Sequence, residues 1–376
     1  MYLLNYLNNH PNWQTELKQA PYYYDIKQDG DYYLLKYNLF LSDFNDPMTL
    51  EARGCIFRQE GYKWICVCRA LDKFGNYGES YAATSLINWS RGVDVQEKID
   101  GSIIKVWYDR NEWHISTNGC IDAFKVSLAT TTFGDKFLSL LNGSIALLDS
   151  SYVYYFELVS PLNRIVVNYN TEGIYFLGAR NMMTLQESSV PPLPFSSVKY
   201  PRHYTYHSLA ECVAAAKQMG VDEEGYVVVS SDMMNGSFLR IKVKGDEYLR
   251  LHRIRGNGPL TVRRILTMWQ EDSLDDYLGA FPEDHVLTDE VMAAIKQLVE
   301  GMEKCYTSIN LNDTRANMAH FLLAYEPTYR AYCFSRLDHK IDNAIHFLKR
   351  LRVQSFESTL SNYMDITKII LREDEE

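Results

Sequence analysis

No run of about 18 apolar residues occurs in the 376-residue chain, so a membrane-crossing helix is not expected. The opening stretch, MYLLNYLNNHPNW, has no basic start and only a broken apolar segment, which argues against a secretory leader. Cysteine is sparse and odd in number: seven residues, at 55, 66, 68, 120, 212, 305 and 333, with no Cys-x-x-Cys pair. Neither a disulfide framework nor a structural zinc site fits that pattern, and reduced thiols in a cytoplasmic protein are the expectation. Positive charge is also short, with 38 Lys plus Arg against 48 Asp plus Glu and a formal net charge of −10. Such a chain is not built to coat long nucleic acid, because phosphate binding needs positive potential. Recognition of a nucleic-acid end depends instead on local basic clusters.

Apolar residues make up 46% and charged residues 23%, ordinary proportions for a soluble globular protein, and the length favours two domains over one core. The first 250 residues read mainly as strands rich in Val, Ile, Tyr and Phe. The expected strands are Tyr32–Asn38, Arg53–Gln59, Lys63–Cys68, Ser102–Tyr108, Tyr152–Val159, Arg164–Tyr169, Gly173–Ala179, Gly225–Ser230 and Ser237–Val243. Short turns such as Asp109-Arg110-Asn111 join them, which points to antiparallel sheets. One helix is expected at Ser208–Met219, with Ser208 and Glu211 as a capping box and Gly220 as its stop. Beyond residue 250 the period changes. Val291, Met292, Ile295, Leu298, Val299 and Met302 recur at helical spacing, as do Ile341, Ile345, Leu348 and Leu351. The expected fold class is α+β, with an antiparallel-sheet domain over residues 1–250 and an all-helical domain over residues 251–376.

The chemistry-bearing candidate is Lys98-Ile99-Asp100-Gly101. Chance readily supplies a Lys-x-Asp-Gly match, so its company matters more than the match itself. Glu51-Ala52-Arg53-Gly54 lies upstream. Downstream lie Tyr155-Phe156-Glu157-Leu158-Val159-Ser160-Pro161-Leu162-Asn163-Arg164, then Glu224-Gly225-Tyr226, then Arg240-Ile241-Lys242-Val243-Lys244. Each is a short charged signature attached to a strand. Lys242 and Lys244 alternate with apolar residues, so both leave the same strand face. A lysine attacks only when unprotonated, and nearby cations with partial burial are what lower a lysine's pKa.

In their order, these five segments resemble the covalent nucleotidyltransferases, which comprise ATP-dependent ligases and mRNA capping enzymes. Within that group the match is closest to the bacteriophage single-strand RNA ligases of the RNA ligase 1 type. The narrower likeness rests on Phe156-Glu157 running into Ser160-Pro161-x-Asn163-Arg164-Ile165-Val166, and on Lys242-x-Lys244 followed by Tyr248 and Leu251-His252. It covers most of the chain, strongly over residues 30–255. The resemblance implies an adenylyltransferase domain and an ATP-dependent RNA ligase, with Lys98 as the nucleophile that takes AMP from ATP.

The same resemblance assigns nucleotide contacts to Tyr37, Arg53, Lys73, Gly101, Glu157, Lys242 and Lys244, with Glu157 on the ribose. It places Glu224, Asp275 and Asp276 near a metal, Mg²⁺ with Mn²⁺ as the alternative. Gly225 and Tyr248 are further functional positions. The implied partners are single-stranded RNA or nicked tRNA ends, with an end-healing kinase or phosphatase acting upstream, in a monomer that needs no membrane and works in the host cytoplasm if viral. One departure stands out: the turn Ser116-Thr117-Asn118-Gly119 has no cation where the phage family often has a nucleotide-contacting lysine. Two basic stretches could meet RNA phosphates, Arg250–Arg264 and Lys349–Arg352. The alternatives are a capping guanylyltransferase, a DNA ligase with the same lysine chemistry, or an inactive tRNA-binding relative.

Overall fold

The computed structural model describes residues 1–39, 41–188, 190, 192–256 and 260–370, without the side chains of Ile254, Asp276, Ile369 and Ile370. The chain divides into two compact units, Met1–Arg253 and Ile254–Asp374.

Three sheets build the first unit. One is four-stranded, with Asp25–Asp29, Tyr32–Lys36, Arg53–Glu60 and Lys63–Cys68 in sequential order. The second runs Gln186–Ser188, Gly173–Asn181, Tyr152–Val159, Ser102–Asp109, Glu112–Ser116, with Val198–Lys199 added in parallel beside Gly173–Asn181. The third is His203–Tyr204, Val93–Glu97, Gly225–Met234 and Ser237–Lys244. The remaining pairings in these sheets are antiparallel, as the short turns imply. The turn at 110–111 is two residues long, and Arg110 and Asn111 both have positive φ, the backbone that matches strand twist in a tight hairpin.

The strand Ser102–Asp109 carries apolar residues on both of its faces because each face meets a core. Ile104 and Val106 enter one core with Phe133, Phe137, Phe156 and Leu158, while Ile103 and Trp107 enter a second with Leu34, Ile56, Val153 and Tyr155. Each buried large side chain contributes roughly 1.5–3 kcal/mol. The third sheet has an apolar back, where Val95, Val228, Ile241 and Val243 meet Cys212 and Ala216 of the helix Leu209–Ala216. That leaves Arg240, Lys242 and Lys244 for the opposite face.

Three local expectations are corrected. Arg164–Tyr169 is not a strand, because the Val166 and Val167 N–H groups donate to the Asp100 carboxylate instead of a ladder. The helix starting after Ser208 ends at Ala216, before Gly220, and the Glu211 carboxylate reaches back to the N–H of His207. The strand Val93–Glu97, which leads directly into Lys98, was not among the expected strands, being five residues long with only two apolar ones.

The second unit is helical in its described residues, apart from a two-residue pairing of Leu260–Thr261 with Ile369–Ile370. Its longest helix, His285–Thr307, buries Val291, Ile295, Leu298 and Met302, the stripe that the spacing marked. Ile345 departs from its expected stripe and is half exposed.

Candidate active site

Lys98 follows directly on Val93–Glu97 and is tied to the neighbouring strand by its own N–H, which donates to the Gly225 carbonyl at 2.9 Å. Its Nζ donates to Glu224 Oε2 at 2.6 Å. Glu224 Oε1 lies 3.2 Å from Lys244 Nζ, so one buried carboxylate holds two lysines. Burial pushes the Glu224 carboxyl up, but Lys98 and Lys244 together outweigh it and hold it below its ordinary range. Gly225 has φ +147°, and a Cβ there would sit 2.1 Å from the Val243 carbonyl oxygen. No side chain fits where the two strands approach. Gly101 has the same role opposite Leu158, whose carbonyl oxygen would lie 2.4 Å from a Cβ.

Asp100 is buried and works as a fastener. Its Oδ2 accepts from Val166 N and Val167 N, each at 2.8 Å, and its Oδ1 accepts from the Tyr248 hydroxyl at 2.8 Å. Its own N–H donates to the Tyr169 hydroxyl at 3.0 Å. Four hydrogen bonds from two chain segments, 166–169 and Tyr248, thus clamp the residue two places after Lys98. The predicted Tyr248 is therefore a buried support of the Lys98 loop. Tyr169, Val166 and Val167 had no sequence signal beyond lying near a quoted segment.

Arg53, Lys98, Asp100, Gly101, Glu157, Glu224, Lys242 and Tyr248 line one cleft. Lys242 is 7% exposed, and burial, followed by the charges of Lys98 and Arg53, holds its ammonium well below the ordinary range. Arg53 has two guanidinium nitrogens, Nε and Nη1, that are buried without a hydrogen-bond partner. Unsatisfied buried donors on a cation are costly, and an anion entering the cleft would relieve both residues. Phe74 and Arg240, absent from the predicted set, also line the cleft. The Arg53 and Lys242 cations lie 5.4 and 5.3 Å from the Phe74 ring centroid. Arg240 carried a usable signal, being two residues before Lys242 on the same strand face. Phe74 carried none. Asn118 lines the cleft in place of the missing cation of its turn.

Other expected residues are elsewhere. Tyr37 is buried in the core beneath Lys73, whose Nζ is 5.1 Å from its ring centroid, and neither lines this cleft. Asp275 and Asp276 lie on the helix Leu274–Ala280 of the second unit. Asp275 is exposed, and the side chain of Asp276 lies outside the described residues. Among the described residues, no group of three His, Cys, Asp or Glu is placed to hold a metal ion.

Glu157 accepts from Gly101 N at 3.2 Å, and burial, against the opposing pull of Lys98, raises its carboxyl to about 7. It keeps its proton to a higher pH when folded than when unfolded. Its contribution to stability is therefore full below about 4.5 and is lost as pH rises to about 7. Glu157→Gln is expected to flatten that part of the stability profile, measured as urea midpoints at about pH 5 and about pH 8. An unchanged slope would remove Glu157 as its source.

A lysine amine presented between a carboxylate and unsatisfied buried cations, on antiparallel sheets, defines a site for polyphosphate chemistry. The family model described as RNA ligase matches residues 51–248, a span that contains every cleft residue named above. The chain belongs to the RNA ligase family. It is 33% identical over 274 residues to a protein described as a bifunctional polynucleotide kinase/RNA ligase from Autographa californica nuclear polyhedrosis virus, covering 68% of this chain but 38% of that one. It is 26% identical to an RNA ligase of Rhodothermus phage RM378, over 89% of this chain and 91% of the relative. Among solved structures, an archaeal ATP-dependent RNA ligase aligns with a TM-score of 0.42 at 13% identity, covering 88% of this chain and 80% of that one. No described helix is long and apolar enough to cross a membrane.

Proposed function

We propose that this chain is an ATP-dependent RNA ligase that joins 5′-phosphate and 3′-hydroxyl ends through AMP carried on Lys98. The observation that carries the reading is the pairing of the Lys98 amine with Arg53 and Lys242, whose buried charge calls for phosphate. In the first step Lys98 Nζ, having lost its proton, attacks the α-phosphorus of ATP. An N–P bond forms, the α–β P–O bond breaks and pyrophosphate leaves. Arg53, Lys242 and Lys244 neutralise the charge that builds on the phosphorus oxygens. In the second step an oxygen of the RNA 5′-phosphate attacks the same phosphorus and frees Lys98. In the third the 3′-hydroxyl attacks the RNA 5′-phosphorus, expelling AMP. Glu157, at pH values where it is ionised, would accept from a ribose hydroxyl.

A divalent cation, Mg²⁺ or Mn²⁺, would take most of its ligands from nucleotide oxygens and water, with Glu224 as the candidate carboxylate. The RNA substrate belongs to single-stranded or nicked tRNA ends. Because the chemistry consumes a 5′-phosphate and a free 3′-hydroxyl, a kinase and phosphatase that make those ends are the expected upstream activities. The viral relative is described as a bifunctional polynucleotide kinase/RNA ligase.

The test is incubation with α-labelled ATP or GTP and Mg²⁺, followed by sealing assays on RNA and DNA strands with the same ends. An acid-labile protein label from ATP, discharged by 5′-phosphate RNA, is the expected result. Labelling by GTP alone would point to capping, DNA nick preference to a DNA ligase, and no label to a binding protein.

A further inference from the structure

We propose that a second pocket beside the cleft binds the base of the nucleotide that carries the RNA 5′-phosphate. The inference rests on the ligase reading and adds where one RNA end lies. The pocket is lined by Phe74, Tyr81, Met234, Phe238 and Leu239, with Lys73 and Arg240 as its cations. Phe74 and Arg240 line the catalytic cleft as well, so the two chambers share a wall.

The strand Ser237–Lys244 sets the spacing. Phe238, Arg240 and Lys242 leave one face at steps of about 7 Å, twice the rise per residue. An aromatic ring, a guanidinium and an ammonium therefore stand in a row from the pocket into the cleft. A nucleoside 5′-phosphate has the same layout at about the same span, a base at one end and a dianion at the other. The pyrophosphate released in the first step is an unsuitable occupant, because an aromatic, largely apolar chamber does not solvate its charge. Base stacking on aromatic side chains is what such a chamber offers.

Lys73 in the pocket and Lys242 in the cleft are the cations that select which RNA end enters, since the Arg240 guanidinium is paired with Glu187 at 2.9 and 2.5 Å and Asp72 adds a negative charge to the pocket wall. A 5′-phosphate end puts its dianion directly beside its first base, whereas a 3′-hydroxyl end has no terminal phosphate. The pocket's polar side chains are already engaged. Asn235 donates to Glu51, and the Ser237 hydroxyl donates to Asp72 at 2.6 Å. Few groups are left to read base edges, so the pocket takes the base by its faces with little sequence preference.

The experiment measures donor KM in RNA sealing for the full chain and for Phe238→Ala and Met234→Glu. Met234 is half exposed, so a charge there leaves folding alone and puts an anion at the rim. Both variants are expected to keep the ATP-dependent label on Lys98 while raising KM for the 5′-phosphate strand roughly tenfold. KM for the 3′-hydroxyl strand should stay constant. A donor with an abasic first nucleotide should bind the unaltered protein roughly tenfold more weakly and be indifferent to Phe238→Ala. An unchanged donor KM, or a rise confined to the 3′-hydroxyl strand, would overturn the assignment. Absence of the label from the unaltered protein would instead sink the ligase reading beneath it.

Discussion

Lys98→Ala is expected to abolish the covalent AMP label, a loss of at least about a thousandfold in the first step, with the fold intact. The side chain is 18% exposed and its amine donates to Glu224 at 2.6 Å. Truncation therefore opens no internal cavity. It also removes one charge from a crowded cation group, and Lys98 is the largest charge depressing Lys242. The melting temperature should hold or rise while labelling vanishes, which separates a lost nucleophile from a lost fold. Lys98→Arg keeps the cation and the Glu224 pair, yet should be equally unlabelled. Label persisting in Lys98→Ala would place the nucleophile elsewhere.

Glu224→Ala should fail in the opposite way, by destabilising the protein as well as silencing it. The Glu224 side chain is 1% exposed and balances Lys98 and Lys244. Removing one partner of a buried ion pair typically costs about 3–5 kcal/mol, because the remaining charge has no compensation. Here Lys98, Lys242, Lys244 and Arg53 would face each other with their carboxylate counterion gone. A lower urea midpoint, restored in part by Lys244→Met in the same chain, is the expected measurement. If stability is unchanged and only the metal dependence of labelling shifts, Glu224 serves the metal rather than the lysines.

The sheet-and-helix division was legible because two periods alternate along the chain. Strands such as Tyr152–Val159 and the helix carrying Val291 and Met302 announce themselves by composition and spacing. Glu157 and Lys242 ride on such strands, whereas Lys98 and Glu224 lie just outside strand ends and were legible only as charged segments in the order of the family resemblance. What failed had a common cause. Val166 and Val167 look like strand residues, but a side-chain carboxylate remote in sequence takes their N–H groups. Local pattern cannot report a hydrogen bond to a residue 66 places away. Phe74 was missed for the same reason, since its role comes from two cations brought over its ring by different segments. Asp275 and Asp276 belong to the second unit, and only family likeness had linked them to Lys98.

The Tyr248 hydroxyl fastens Asp100, 148 positions away in the sequence. The loop that presents Lys98 thus depends on a residue made long after it. On a ribosome, the nucleophile and its strand emerge early, but the fastener emerges only when the first unit is nearly complete. Contacts of such long sequence separation form late, after their loop-closure cost is met. The Lys98 loop therefore gains its last fastener only when almost all of that unit has been synthesised.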